Sequence, residues 1–291
     1  MKIALHGLAL KVEFISDIER LFQELEKHQI EILVTEPLDR ALKMVGNKRL
    51  TYWLIESQEE LESVDFLISI GGDGTLLDAV SLVGSLEIPI LGLNTGRLGF
   101  LATAATDRIG EVIEYLATGN FQIESRSLIS LECNRRLFNG INFALNEFTI
   151  HKRDTSSMIT VHTYIDGKYL NSYWADGLIV STPTGSTGYS LSCGGPLITP
   201  GAKSFVITPV SPHNLNVRPI IVSDECEISF EIEGRSEKFL LSLDSRSTSI
   251  SSETKLSVKK AHFSAKLVKL PHYHFFDTLR QKLNWGFDMR N

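Results

Sequence analysis

The sequence predicts an α/β N-terminal domain, an open and mostly parallel sheet with helices, then a β-rich C-terminal domain and a last helix that packs back on the first domain. Three observations predict it. Over residues 1 to about 125, short apolar runs alternate with amphipathic helical stretches, the texture of a parallel sheet covered by helices. From about Leu128 to Val268 helical periodicity gives way to short β-branched or aromatic segments separated by turn signals. At residues 66–78 a strand pattern runs straight into Gly71, Gly72, Asp73, Gly74 and a helix start. The expected domains are 1–125, completed by 270–291, and 126–269.

Each element has its own warrant. The opening Met1–Lys11 is apolar but interrupted by His6 and stopped by Lys11, which reads as a first strand rather than a signal peptide. Ser16 to Gln29 is the clearest helix, because Ile18, Leu21, Phe22 and Leu25 recur at i, i+3, i+4, i+7, with Ser16 and Glu19 as a capping box. Strands are expected at Glu31–Thr35, Val64–Ile70 and Ile88–Leu93, and a second helix where Ile109, Val112, Ile113 and Leu116 repeat the helical spacing. Asp166-Gly167 between Val161–Ile165 and Lys168–Tyr173 signals a hairpin with a primed turn. After Pro271, Phe276, Leu279 and Leu283 share one face of a short helix.

Bulk properties narrow the function. At 291 residues the chain accommodates two domains of ordinary size, each with its own core. The net charge of -6, from 29 basic and 35 acidic residues, offers no broad attraction to nucleic acid or an anionic membrane. Cys133, Cys193 and Cys226 are odd in number and widely spaced, which fits a reducing compartment better than a disulfide framework. No run reaches the roughly 18 apolar residues a bilayer span needs, so a cytoplasmic setting is expected.

Two constellations carry chemistry. In the first, three glycines within four residues let backbone approach an anion, and Asp73 is the only charged group in the turn. Thr75 followed by Asp78 fits a capping box, which would begin a helix with free N–H groups facing the loop. The alternative is a tight turn in which Asp73 merely caps. The spacing is neither a P-loop nor the Gly-x-Gly-x-x-Gly fingerprint, where Leu77 replaces the last glycine. The second constellation, Asp176 to Pro196, concentrates short hydroxyls and exposed amides suited to a nucleobase and ribose, with Tyr189 as a flat apolar face. Its alternative is a plain surface loop.

Together with Asn94-Thr95-Gly96-Arg97-Leu98-Gly99-Phe100-Leu101 and Leu145-Asn146-Glu147, these segments resemble the NAD kinase family, in the family's order, over roughly Val64 to Val222. Phe276 to Trp285 also looks like that family's ending, whereas Glu36 to Ser63 carries little signal. The resemblance implies transfer of the ATP γ-phosphoryl group to the 2′-hydroxyl of the adenosine ribose of NAD, giving NADP and ADP. It also implies a divalent cation, Mg²⁺ or similar, carried on the ATP phosphates, with no protein metal ligands. Polyphosphate is the alternative donor.

Residue by residue, the resemblance makes Asp73 the catalytic aspartate, orienting the hydroxyl and taking its proton late, since an ordinary carboxylate of pKa about 4 cannot strip an alcohol beforehand. It implies NAD contacts from Asp73, Gly74, Phe100, Asn146, Glu147, Trp174, Asp176, Thr187, Gly188, Tyr189, Ser190, Leu191, Ser192 and Arg246. Gly71, Gly72, Gly74, Thr75 and His213 are expected on the phosphate side. Three positions depart from the family pattern: Gly188 where alanine is usual, Trp174 where a basic or polar side chain is common, and Arg246 in place of an uncharged residue. His213 has a structural alternative. His272 and His274 lack a third ligand and are set aside as a metal site. Lys152 and Arg153, beside Asp154, read as a solvated turn. A homodimer or homotetramer is expected, with NAD and ATP or polyphosphate as partners, and neither nucleic acid nor membrane. The rival functions are a lipid kinase sharing the Gly-Gly-Asp-Gly turn and a non-catalytic NAD sensor; a binder has no need of Asp73.

Overall fold

Ile3, Ala4 and Leu5 are wholly buried, as a strand covered on both faces by helices requires. They belong to the first of two compact units in the computed structural model, Met1–Ser125 with the chain from Ala265 onward; the second is Arg126–Ser264. The structure describes residues 1–46, 50–96, 99–102, 104–153, 158–271 and 273–284. Arg97, Leu98, Asp154, His272 and Trp285 lie outside the described residues.

In the first unit, β1 (Lys2–His6), β2 (Glu31–Val34), β3 (Trp53–Leu54), β4 (Phe66–Gly71) and β5 (Ile90–Asn94) stand in the order β3-β2-β1-β4-β5, all parallel. The chain steps outward from β1 to β3 and then returns to the other side of β1 as β4. The carboxyl ends of β1 and β4 therefore flank a topological switch point, where open α/β sheets bind ligands. Helices α1 (Ile15–Lys27), α2 (Glu36–Met44), α3 (Gln58–Glu62) and α4 (Asp73–Val83) join these strands, and β6 (Ala104–Ala105) and α5 (Ile109–Thr118) follow.

α1 buries Ile18, Leu21, Phe22 and Leu25, and α5 buries Ile109, Val112, Ile113 and Leu116, the faces their spacing predicts. At about 2 kcal/mol per buried aliphatic side chain, α1 contributes on the order of 8 kcal/mol before entropy is counted. The Ser16–Glu19 capping box does not form. A 3₁₀ turn over Val12–Phe14 runs into the helix, so α1 starts at Ile15 and Ser16 already lies inside it. The capping box that does form is on α3, where Ser57 Oγ accepts from Glu60 N–H at 3.2 Å and the Glu60 carboxylate accepts from Ser57 N–H at 3.3 Å.

The second unit takes in β7 (Gln122–Cys133) from Arg126 onward, then β8 (Phe143–Ala144), β9 (Glu147–Lys152), β10 (Ile159–Ile165), β11 (Lys168–Ala175) and β12 (Gly177–Ser181). A short helix α6 (Tyr189–Ser192) precedes β13 (Ser204–Val210), β14 (Ile220–Ser223), β15 (Ile228–Gly234), β16 (Lys238–Leu243), β17 (Arg246–Ser251) and β18 (Leu256–Lys269). One antiparallel sheet runs β14-β13-β12-β9-β16-β17, and a second antiparallel run is β11-β10-β15-β18. Their inner faces meet in a single core holding Phe148, Ile150, Phe205 and Phe239 from the first and Val161, Phe230 and Val258 from the second. The alternation of buried and open residues along β10 and β15 is the period-two pattern of such a sandwich. At the β10–β11 hairpin both Asp166 (φ 49°) and Gly167 (φ 73°) are left-handed, the type I′ geometry that the Asp-Gly pair predicts.

The end of β18 pairs in parallel with β5, Leu267 opposite Ile90, and α7 (Phe275–Leu283) follows within the first unit. Only Leu279 of the three predicted apolar residues is buried there; Phe276 is 53 % and Leu283 38 % exposed, because Thr278 takes the second inward position. Among the described residues no helix is long and apolar enough to cross a membrane.

Candidate active site

Strand β4 delivers the glycine turn. Gly71 ends the strand, Gly72 is the N-cap of α4, and the helix starts at Asp73. Thr75 is therefore the third helical residue, not the cap, and the Thr75–Asp78 capping box does not form; Gly72 caps with backbone alone. Asp78 instead pairs with buried His6 at the end of β1, Oδ2 to Nε2 3.0 Å, while His6 Nδ1 sits 3.0 Å from Thr35 Oγ1. A Cβ at Gly72 or Gly74 would meet nothing within 4 Å, so this backbone is open to an approaching anion.

The Asp73 carboxylate turns toward the segment after β5. Its Oδ2 accepts the N–H of Phe100 at 2.9 Å, and Oδ1 accepts those of Leu101 and Ala102, both at 3.0 Å. Successive amides aimed at one point form an anion nest. Asn94 at the end of β5 shapes it, accepting from Gly96 N–H at 2.7 Å and donating to Ala102 O at 3.3 Å. Gly99 has to be glycine, since a Cβ there would overlap the carboxylate. Tyr273 Oη donates to Phe100 O at 3.4 Å. A carboxylate has about four acceptor positions; the described residues fill three, which leaves one on Oδ2.

In the second unit, Leu145, Asn146 and Glu147 lead into β9 and are held by a second carboxylate. Asp244, at φ 51° in the β16–β17 turn, accepts from Leu145 N–H at 2.8 Å through Oδ2 and from Asn146 and Glu147 N–H at 2.8 and 3.1 Å through Oδ1. Asn146 Oδ1 and Glu147 Oε2 are buried with no hydrogen-bond partner among the described residues, an expensive arrangement that a ligand could relieve. Burial and the neighbouring Asp244 push the Glu147 carboxyl up to about 8, against the pull of the Tyr189 backbone amide. Gly188 abuts this pair: a Cβ there would lie 3.2 Å from Glu147 Oε2 and 3.8 Å from Asn146 Nδ2. The missing methyl thus leaves space beside the acidic group.

The hydroxyls of the 181–192 stretch are mostly spent on the fold rather than held out to a ligand. Thr182 Oγ1 donates to Leu145 O at 2.6 Å and accepts from Gly185 N–H at 3.1 Å. Ser186 Oγ donates to Pro183 O at 2.7 Å, Thr187 Oγ1 to Thr184 O at 3.2 Å, and Ser190, fully buried, pairs with Thr208 Oγ1 at 2.9 Å. Tyr189 is 39 % exposed, Ser192 is exposed and Leu191 half-buried, so these are what α6 offers outward.

Two further positions differ from expectation. Lys152 is not an idle turn residue: it ends β9 and pairs with Asp176, Nζ to Oδ1 2.6 Å. The Arg246 guanidinium donates to Ile141 O at 2.7 Å and to Phe143 O and lies 5.8 Å over the Phe143 ring, so it clasps the 141–143 backbone. Trp174 is 48 % exposed and packs on exposed His213 with ring centroids 4.9 Å apart, while His213 N–H bonds Trp174 O at 2.9 Å. Sequence reasoning missed the roles of Asp244 and Lys152; a turn aspartate between two alternating strands was the available signal for the first. His274 is the N-cap of α7 without a side-chain cap bond. Among the described residues no group of three or more His, Cys, Asp or Glu could hold a metal ion.

Residues 8–121 match the family model described as the ATP-NAD kinase N-terminal domain, and residues 145–270 match the ATP-NAD kinase C-terminal domain. The chain is 52% identical to the NAD kinase of Cytophaga hutchinsonii over 292 residues, covering 100% of both chains, and 45% identical to that of Bacteroides fragilis over 291 residues, again covering 100% of both. An Archaeoglobus fulgidus NAD kinase solved in complex with ATP superposes with a TM-score of 0.76 at 26% identity, covering 98% of this chain and 99% of that one. Yeast NADH kinase complexed with NADH superposes with a TM-score of 0.89, covering 100% of this chain and 89% of that one, and at 19% identity it speaks for the fold alone.

Proposed function

The chain belongs to the NAD kinase family, and from that premise we propose that Asp73 orients the 2′-hydroxyl of the adenosine ribose of NAD for attack on the γ-phosphoryl group of ATP, yielding NADP and ADP. The observation that carries this reading is the Asp73 carboxylate at the carboxyl end of β4, fixed by three consecutive amides and, among the described residues, left with one acceptor position on Oδ2. One free position takes one hydroxyl proton. The bond to phosphorus forms as the bond to the ADP oxygen breaks, and the hydroxyl proton passes to Asp73 late, because phosphoryl transfer is driven by position and charge rather than by a strong base.

Asn146 and Glu147, with two unpartnered buried oxygens, are assigned to the nucleoside, Tyr189 to a base face, and Phe100, Thr187, Gly188, Leu191, Ser192, Trp174 and Asp176 to the surrounding wall. Ser190 and Arg246 are assigned to the scaffold instead. Gly71, Gly72 and Gly74 are assigned to a phosphate at the positive end of α4, with Thr75 contributing its side chain, since its N–H is taken by Gly72 O at 3.1 Å, and exposed His213 is kept for a phosphate or a neighbouring subunit. The divalent cation, Mg²⁺ or similar, belongs to the triphosphate, where it neutralises charge on the phosphate oxygens. The free thiols suit a cytoplasmic setting.

The test is product identity. Purified protein with NAD, ATP and Mg²⁺ yields a dinucleotide whose new phosphorus resonance is that of a 2′-phosphate; a phosphate elsewhere, or none, overturns the reading. Polyphosphate in place of ATP decides the donor. A dimer or tetramer built through the antiparallel half is favoured by the apolar edge of β14, where Ile220 and Ile221 are 37 % and 52 % exposed and the preceding Leu215 91 %. Light scattering that returns the monomer mass, 32.5 kDa, removes that part.

A further inference from the structure

We infer that Glu147 is a neutral carboxylic acid in the free protein and that Asp244 is the positioning residue that keeps it so, giving the pocket a hydrogen-bond donor where an ionised glutamate would offer acceptors only. The two carboxyls occupy one corner of the second unit, Asp244 holding the very backbone from which Glu147 projects. Their surroundings are unequal. Burial pushes the Asp244 carboxyl up as well, but three N–H bonds and nearby Arg246 pull against it and favour its charged form. Glu147 has a buried Oε2 with no donor and only the Tyr189 amide in its favour.

Two like charges that act on one another and are both removed from water do not persist together, so one proton is retained, and it resides on the group with fewer donors. Among the described residues the titratable and charged groups around the pair are Arg246, which opens β17 just after the turn, Tyr189 on α6, and Cys193 and Asp176, the latter met by Lys152, which both act on Tyr189. The 181–188 segment packed against the loop brings only hydroxyls and backbone. Burial and Asp244 hold the Glu147 proton on to about pH 8.

A neutral acid pairs an O–H donor with a C=O acceptor. That suits a sugar diol and adds no repulsion toward a dinucleotide's diphosphate. The ligand arm rests on the pocket being the NAD site; the spectroscopic arm does not. Carboxyl-labelled glutamate is followed by carbon NMR in the free protein, with the Glu147 signal assigned by its loss in Glu147→Gln. The expected midpoint lies near 8, and Asp244→Asn lowers it by at least about one pH unit as the neighbouring charge disappears. A wild-type Glu147 titrating near 4.3, the ordinary glutamate value, overturns the inference whether or not Asp244→Asn folds; so does a folded Asp244→Asn with an unmoved midpoint.

Calorimetric titration with NAD across the same pH range supplies the second arm. Wild-type affinity falls by about tenfold per pH unit above the midpoint, whereas Glu147→Gln, a permanent donor, binds like wild type at low pH and shows no such fall. Glu147→Gln as defective as Glu147→Ala at low pH overturns the donor role. A raised NMR midpoint with no NAD binding at any pH supports the proton assignment and removes the NAD reading.

Discussion

Asp73 and Asp244 are wired alike and placed differently. Each carboxylate accepts N–H bonds from three consecutive residues, two on one oxygen and one on the other: Phe100 to Ala102 for Asp73, Leu145 to Glu147 for Asp244. Asp73 stands on the first residue of an 11-residue helix beside open glycine backbone. Asp244 stands in a hairpin turn among groups that enclose it. On the proposed reading the same three bonds prepare a reagent in one place and fix a loop in the other. What separates a reacting carboxylate from an architectural one here is the access of its last acceptor position.

Substitutions can break this comparison. Asp73→Asn is expected to have the largest effect, a loss of about a thousandfold in turnover, with NAD affinity kept, because the amide cannot take the proton; turnover near wild type would place Asp73 with the architectural kind. Asp244→Ala strips the acceptor from three buried donors and should lower stability by about 3 kcal/mol, seen as an earlier denaturation midpoint at unchanged slope. If stability holds and only catalysis suffers, the two aspartates are alike in kind after all.

Gly99→Ala pushes a methyl into the Asp73 carboxylate and should cost about a hundredfold in kcat through misplacement, leaving the KM for NAD nearly as it was. A matching rise in KM would move Gly99 to the binding surface. The smallest effect is expected for Lys152→Met, which removes the 2.6 Å partner of half-exposed Asp176: no more than about 1 kcal/mol, read as a rise of a few-fold in the KM for NAD.

How legible each carboxylate was follows from the range of its contacts. Asp73 announces itself locally, through the strand before it and glycines on both sides. Asp244 takes its partners from 97 to 99 positions earlier in the chain, and no local pattern carries that. The helical faces of α1 and α5 and the Asp166-Gly167 turn were readable because spacing and φ preference are local properties. Caps were not. Ser16–Glu19 and Thr75–Asp78 have the right spacing yet sit inside their helices, whereas Ser57–Glu60 forms the box in a stretch with little other signal. The chain's entry into the first turn decides, and that is tertiary. Likewise Ser186 and Ser190 look available in the sequence and are consumed by Ile198, Pro183 and Thr208 in the fold.

The two-plus-one division of donors at Asp73 bears on inhibitors. An amidine or guanidine head built to grip a carboxylate through both oxygens finds Oδ1 already engaged twice, so its fork has a seat for one prong only. Compounds aimed at this aspartate gain most from a single, well-aimed hydroxyl or ammonium, with selectivity sought from groups that reach the space beside Gly72 and Gly74.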